Sequence, residues 1–350
     1  MKSTLARLAV AAAGLLPLAA FPTYVYNTIT YPGAVQTELR GLNDAGQLVG
    51  YASLDGITSF GFTYQSGVFT PLPAAPFPLI GHGINAAGVV VGTANLTATT
   101  FGQGFIHNGG SYAFFAKPGW DNTHARAIGP TNLITGYSDN AATGDTVGWI
   151  YDPIAAAYTD INPAGSILTI AQGINAAGQV VGSAIIPASG GANGFLREPG
   201  GSIVLFRIGA NPTRARGIND SGLITGFMTV GTALQGFVGN SSGFQTLLVP
   251  GADETIPEGI NNAGQVAGLY RSGGVTHGFI ATPAAMPTGT TSSGAYTFSV
   301  AVIPNFPIFI DPPVAVGYDY ATGKGDPNFA TVSERRSASA TISRTTSIRR

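Results

Sequence analysis

The sequence predicts an all-β fold, a six-bladed β-propeller of four-stranded antiparallel blades, and three observations carry that expectation. A motif of the form GINxxGxxxG recurs six times, as GLNDAGQLVG from Gly41, GINAAGVVVG from Gly83, AIGPTNLITG from Ala127, GINAAGQVVG from Gly173, GINDSGLITG from Gly217 and GINNAGQVAG from Gly259. The starts are 42, 44, 46, 44 and 42 residues apart, a period that belongs to propellers and solenoids. Only 9% of the 350 residues are charged while 50 are Gly, the composition of turn-rich sheet rather than of helical bundles. Finally, one strand is spare before the first motif and one is missing after the last.

Within each repeat the order of elements follows from residue type. Asn43, Asp44, Ala45 and Gly46 and their equivalents fit a type I turn, with Asn or Asp first and Gly fourth. The third copy keeps this turn by other means: Pro130 stands second, where its fixed φ suits, and Asn132 replaces Gly as the next-best residue for a left-handed backbone. Short β-branched runs follow, such as Val89-Val90-Val91 and Leu133-Ile134-Thr135, and read as strands buried on both sides. Each run ends at a Gly, namely Gly50, Gly92, Gly136, Gly182, Gly226 or Gly268. A Gly inside a strand marks a bulge or the close approach of another backbone.

About ten residues on, every copy places Gly before an aromatic: Gly61-Phe62, Gly104-Phe105, Gly148-Trp149, Gly194-Phe195, Gly236-Phe237 and Gly278-Phe279. Recurrence at one register is what core packing between blades requires, so this column is read as core and not as a sugar-stacking platform. A fourth run, such as Tyr112 to Phe115, and often a Pro-Gly turn complete the unit, giving the four strands of one propeller blade.

The ends decide between ring and line. Residues Tyr24 to Ala34 read as the fourth strand of a blade, because Tyr31-Pro32-Gly33-Ala34 matches Val249-Pro250-Gly251-Ala252 in its spacing to the next motif. The last copy runs from Gly278-Phe279-Ile280 into a Pro/Thr/Ser/Gly stretch with no fourth strand. Closure by the amino-terminal strand completing the last blade removes the open edges, whereas a solenoid needs polar caps.

The expected organisation is a leader at 1–20, the propeller at 21–283, a linker at 284–295, a short β-rich appendage at 296–332 and an Arg/Ser/Thr tail at 333–350. Lys2 and Arg7 followed by the apolar run Leu8 to Ala20 have the pattern of a secretory signal, and no later run reaches the twenty apolar residues of a membrane span. The protein is thus expected to be secreted or periplasmic and monomeric. It has no cysteine, so stability in an oxidising compartment rests on burial and on ring closure. The tail holds five of the sixteen basic residues; it reads either as a flexible cationic segment or as the product of a frame error.

Residues 21–283 hold 8 basic and 13 acidic residues, a balance that argues against a nucleic-acid partner. Four of those eight basic residues fall in two columns of the repeat. Just before each motif stand Arg40, His82, Arg126, Gln172, Arg216 and Glu258; two residues further back stand Glu38, Ile80, His124, Ile170, Arg214 and Ile256. If the strand entering the motif is innermost, these columns ring a central channel. The candidate ligand-binding residues at its mouth are therefore Glu38, Arg40, His82, His124, Arg126, Gln172, Arg214, Arg216 and Glu258, with Arg as the forked donor for an anionic or hydroxyl-rich ligand. The competing reading is that Glu38 and Glu258 pair with neighbouring arginines and the ring satisfies itself.

No catalytic signature stands beside this. The four histidines lie in different columns without HxH or HExxH spacing, so no metal is expected. The NDAG and NDSG turns offer one carboxylate each, too few for calcium. There is no GxSxG elbow, and no cofactor is expected. Paired carboxylates for glycoside hydrolysis depend on spacing in the fold; Asp253-Glu254 read as an exposed loop.

GINxxGxVVG followed some twenty residues from its start by (H)GF(I/L/V), as in His277-Gly278-Phe279-Ile280 and Gly104-Phe105-Ile106, resembles the HAF repeat of bacterial secreted proteins over about residues 24–282. The resemblance implies an exported repeat protein and brings no activity or binding residues with it. The segment FIDPPVAVGYDY…GDPNF is similar to one near the end of some exported bacterial proteins that carry a sorting signal, but no such signal is present here. The leading expectation is a non-catalytic binding or scaffold propeller for a polar ligand, a glycan or a partner protein. The alternative is a polysaccharide-active hydrolase or lyase working at the channel mouth.

Overall fold

The computed structural model describes residues 22–75, 77–95 and 102–284, together with two two-residue strands further on. The chain divides into two compact units, Met1–Ala284 and Ala285–Arg350. The expected leader (1–20), appendage (296–332) and tail (333–350), and the linker beyond Ala284, lie outside the described residues except for those two strands.

The first unit is built almost wholly of antiparallel strands. A strand β1 (Tyr24–Ile29) precedes the first repeat, which contributes β2 (Gln36–Leu42), β3 (Leu48–Ser53), β4 (Ser59–Gln65) and β5 (Val68–Pro71). The second repeat gives β6 (Leu79–Ile84), β7 (Val90–Asn95), β8 (Gly102–Asn108) and β9 (Ser111–Phe115). The third gives β10 (Asn122–Ile128), β11 (Ile134–Asp139), β12 (Thr146–Asp152) and β13 (Ala157–Ile161). The fourth has β14 (Leu168–Ile174), β15 (Val180–Ile186), β16 (Gly191–Arg197) and β17 (Ile203–Phe206). The fifth has β18 (Thr213–Ile218), β19 (Ile224–Val230), β20 (Ala233–Asn240) and β21 (Gly243–Leu247), and the sixth has β22 (Glu254–Ile260), β23 (Val266–Ser272) and β24 (Val275–Pro283).

Consecutive strands of each repeat pair antiparallel. The sixth repeat obtains its fourth strand from the other end of the chain: β1 runs antiparallel to β24, from Tyr24 opposite Pro283 to Ile29 opposite Gly278. Single parallel bridges, Gln36 to Thr276 and Thr146 to Leu168, merge neighbouring repeats into two eight-stranded sheets beside two four-stranded ones. No sheet among the described residues closes on itself. The first strand of each repeat contacts the first strand of the repeats on either side, β2 touching both β6 and β22.

Two features of the motif acquire a physical reason. In all six repeats the first strand carries a bulge at the residue before the motif, with the register shifting between Leu39 and Gly41 in the first copy. The Gly that closes each β-branched run stands inside its strand, as Gly50 does in β3, and lies against that bulge. A Cβ there would sit 2.0–2.3 Å from the carbonyl oxygen of Glu38, Ile80, His124, Ile170, Arg214 or Ile256, so no other residue fits.

The motif Asn, besides opening the turn, ties one repeat to the next. Asn43 Oδ1 accepts the N–H groups of Ala45 and Gln47, while its Nδ2 donates to the Asn85 carbonyl of the second repeat at 2.8 Å. The same tie runs from Asn175 to Asn219, from Asn219 to Asn261 and from Asn261 to Asn43, the last joining the sixth repeat to the first at 3.2 Å. The third repeat lacks this Asn, and Asn132 Oδ1 accepts from Asn85 instead, at 2.9 Å. Asn132 holds φ of 64°, as its place in the turn demands.

The core lies between neighbouring sheets. Phe62, Phe105, Trp149, Phe195, Phe237 and Phe279 are fully buried, each worth about 1.5–3 kcal/mol of burial. Phe105 packs with Val49 and Trp149 with Val91 of the preceding repeat; Phe62 packs with Ala267 of the sixth.

Candidate functional site

The residues before the six motifs converge. Arg40, His82, Arg126, Gln172, Arg216 and Glu258 line one cavity of about 90 Å³, each followed in the wall by the first two residues of its motif. Their aliphatic members, Leu42, Ile84, Ile128, Ile174, Ile218 and Ile260, are 6–9% exposed and form an apolar ring on the turn side of the polar one. The bulge produces this arrangement, because it turns one extra side chain per strand out of the ladder. The other three candidates do not line the cavity. Glu38 is buried beside Arg40, His124 stacks on Tyr137 with ring centroids 4.5 Å apart, and Arg214 lies over Phe227.

The polar ring is unevenly paired. Arg40 Nη1 donates to Glu258 Oε1 at 2.7 Å and its Nη2 donates to Glu38 Oε2. Arg216 approaches the other Glu258 oxygen only to 3.7 Å. Among the described residues Arg126 has no carboxylate partner; its Nη1 meets the His82 ring nitrogens at 3.1 and 3.3 Å and its Nη2 donates to the Tyr137 hydroxyl at 3.2 Å. The expected pairing of Glu38 and Glu258 with arginines is present, and it satisfies one side of the ring only. Three guanidinium groups against two carboxylates leave one positive charge uncompensated. The Nε–H groups of all three arginines are buried without a partner, so their reach into the cavity is through Nη.

Electrostatics follow the geometry. Burial acts against the Arg40 charge, but Glu258 and Glu38 outweigh it and its pKa is raised. Burial also acts on Arg216, where the attraction of Glu258 is opposed by Arg40, Arg126 and Arg214, and the result is a pKa brought down to about 10. Burial and then the Arg126 charge hold the His82 imidazole well below its usual value. The same two causes push His124 down to about 4 although Asp139 lies 3.1 Å away.

The two histidines make stability pH-dependent. The unfolded chain binds protons there near the ordinary value of 6.5, the folded chain only at lower pH, so stability present above about 6.5 is lost as the pH falls towards about 4. Urea unfolding at pH 7, 5.5 and 4.5 should follow this slope, and His82→Gln with His124→Gln should flatten it. An unchanged slope in that double variant would assign the acid sensitivity to the carboxylates.

A set of residues outside the candidate columns also shapes the ring. The guanidinium carbons of Arg40, Arg126 and Arg216 lie 5.4, 5.1 and 5.1 Å from the ring centroids of Tyr51, Tyr137 and Phe227. Each aromatic immediately follows the Gly packed against the bulge of the same repeat, and the other three repeats have Thr93, Ser183 and Leu269 there. An aromatic thus occurs at that position wherever the hub residue is Arg, a correlation visible in the sequence itself. Cation–π contact with a partly desolvated guanidinium is worth about 1–2 kcal/mol.

Elsewhere, Glu254 is not part of a loop: it opens β22 and pairs with Arg271 at 2.6 Å. Among the described residues no three His, Cys, Asp or Glu side chains are grouped to hold a metal ion. No helix there is long and apolar enough to cross a membrane.

No protein-family model and no curated protein matches this chain. Among solved structures it is similar to virginiamycin B lyase from Staphylococcus aureus, with 12% identity over 73% of this chain and 88% of that one and a TM-score of 0.42. It is also similar to the SapL1 lectin solved with alpha methyl fucoside, at 13% identity over 73% and 98% of the two chains and a TM-score of 0.47. A third is TolB from Acinetobacter baumannii, at 9% identity over 69% and 54% with a TM-score of 0.46. These similarities assign neither ligand nor reaction to this chain.

Proposed function

We propose that residues 22–283 form a closed six-bladed propeller of the HAF-repeat kind, exported and monomeric, which binds a polar ligand or partner and catalyses nothing. Closure is supported by three contacts between the two ends of the array: the β1–β24 ladder, the Arg40–Glu258 ion pair and the Asn261–Asn43 hydrogen bond. The observation that carries the function is the single cavity to which every repeat contributes the same polar position, with positive charge left over. A purely structural hub would neutralise itself, since an unpaired buried charge is costly.

The enzyme reading has less support. A cavity of about 90 Å³ is far below the roughly 300–1,000 Å³ of clefts that enclose organic substrates, and no two carboxylates there are free of arginine. Thermal-shift and calorimetric binding against a panel of glycans and small anions tests the proposal. Arg126→Ala with Arg216→Ala is expected to abolish whatever binding is found. A ligand bound equally well by the double variant would remove the hub from the account, and polysaccharide turnover lost on His124→Ala or Glu38→Ala would favour the enzyme.

A further inference from the structure

We propose that the arc of the hub formed by Arg126, Gln172 and Arg216 holds one small oxyanion, a carboxylate, phosphate or sulfate group. The proposal rests on the binding role given to the hub and assigns that site its ligand chemistry. The three residues belong to consecutive repeats, the third, fourth and fifth, so they are neighbours around the cavity. They stand across the ring from the arc that satisfies itself, in which Arg40 is held by Glu38 and Glu258 together.

Gln172 is the sharpest indication. It is 7% exposed and lines the cavity, yet its side-chain amide has no hydrogen-bond partner among the described residues. Neither amide atom is among the sealed, unpartnered ones, so both are open to whatever fills the cavity. The arginines on either side of it share one long carboxylate contact between them. Arg126 touches only neutral groups, His82 and Tyr137, and Arg216 is left 3.7 Å from a carboxylate already engaged by Arg40. From these three residues the arc presents N–H donors and no carboxylate, which is the complement of an oxyanion.

Size and geometry agree. The cavity of about 90 Å³ suits a small group better than it suits the whole organic ligands held in clefts of roughly 300–1,000 Å³. Guanidinium Nη pairs bind carboxylate and phosphate in a fork, and the site is desolvated enough for the charge to count for more than in water. The apolar ring of Leu42 and the five isoleucines completes the wall of the cavity and offers the ligand no polar competitor. The group is either a free anion or the acidic end of a larger molecule.

The repeat supplies its own control. In the sixth copy the position of Gln172 is occupied by Glu258, so Gln172→Glu puts into the fourth repeat a side chain that the ring already accommodates. Sulfate, phosphate and acetate are titrated into the full-length protein at ionic strength matched with sodium chloride, and melting temperature and heat are read. The wild type should show a saturable response to at least one oxyanion beyond that to chloride. Gln172→Leu should weaken it about tenfold, the loss of one hydrogen bond to a charged group. Gln172→Glu should raise the melting temperature without added anion and abolish the response, while Arg271→Gln, on an exposed ion pair, should change neither.

A wild-type response equal to that of chloride would overturn the assignment, and so would a Gln172→Glu variant less stable than wild type. If a glycan or protein binds in an Arg126- and Arg216-dependent way while no oxyanion binds or competes, the oxyanion assignment fails alone. If no ligand of any kind depends on those arginines, the hub fails as a binding site and the assignment fails with it.

Discussion

Glu258→Ala is expected to lower stability by about 3–5 kcal/mol, the usual result of removing one partner from a buried ion pair. Its side chain is only 6% exposed and faces Arg40 on one side and Arg216 on the other. Removing it leaves Glu38 as the only ring carboxylate against three arginines, with Arg40 held on one side only. For a unit of this size the change corresponds to a melting temperature lower by about 10 °C. Glu254→Ala provides the contrast: its partner Arg271 is 48% exposed, and an exposed pair is worth about 0–1 kcal/mol. Parallel denaturant unfolding of the two variants checks this. Equal small losses would mean that the hub is more hydrated than its burial implies, and its electrostatic role would have to be given up.

Deleting residues 22–31 is expected to have the larger effect, loss of soluble monomer. β1 supplies the outer strand beside β24 over six residue pairs. It also covers Phe279, which is fully buried and which Tyr26 meets with ring centroids 6.1 Å apart. Tyr31 adds edge contacts to Phe60 and Phe69 of the first repeat. Several side chains at about 1.5–3 kcal/mol each approach the whole stability of an ordinary domain, about 5–15 kcal/mol. The deletion also exposes a long unpaired edge that invites aggregation. A synthetic peptide of residues 22–31 added during refolding should restore the monomer by strand addition. A truncated chain that stays monomeric with an unchanged melting temperature would show that β1 is an ornament of the fold.

The parts of this fold that were legible in the sequence are those that recur. Six copies of one motif at nearly constant spacing indicated the strands, the turns and the aromatic core. The spare strand at Tyr24 and its vacancy after Phe279 indicated which segments pair. The Gly that closes each β-branched run could be read as a close backbone approach, though not as one to the carbonyl two residues before the hub position.

Other parts depended on distances that no spacing encodes. Glu38, His124 and Arg214 were placed with the hub by counting two residues back along one strand face, a count that holds only for a regular strand. The bulge at Arg40 and its equivalents breaks that alternation, so of the two candidate columns the bulged one lines the cavity and the other does not. The Asn of the motif was legible as a turn former but not as the tie between repeats, because its Nδ2 partner lies 42 residues away in Asn85 and 218 away in Asn43. Tyr51, Tyr137 and Phe227 left a readable trace in their correlation with Arg, but the hairpin register needed to connect them includes the same bulge.

The claim on which the hub depends is that the first and sixth repeats are neighbours, and it can be tested without reference to β1. The Asn262 N–H donates to Asp44 Oδ1 at 2.8 Å and its Nδ2 to Asp44 Oδ2 at 2.9 Å, so these two turns lie side by side, within reach of a short thiol-reactive cross-linker. The chain has no cysteine of its own, and the readout is therefore unambiguous. Treating dilute Asp44→Cys/Asn262→Cys protein with a short bifunctional thiol cross-linker should give an intramolecular link, seen as a monomer of altered mobility with no free thiol. Free thiols, or cross-links only between molecules, would contradict it, because in a linear stack these two turns stand at opposite ends.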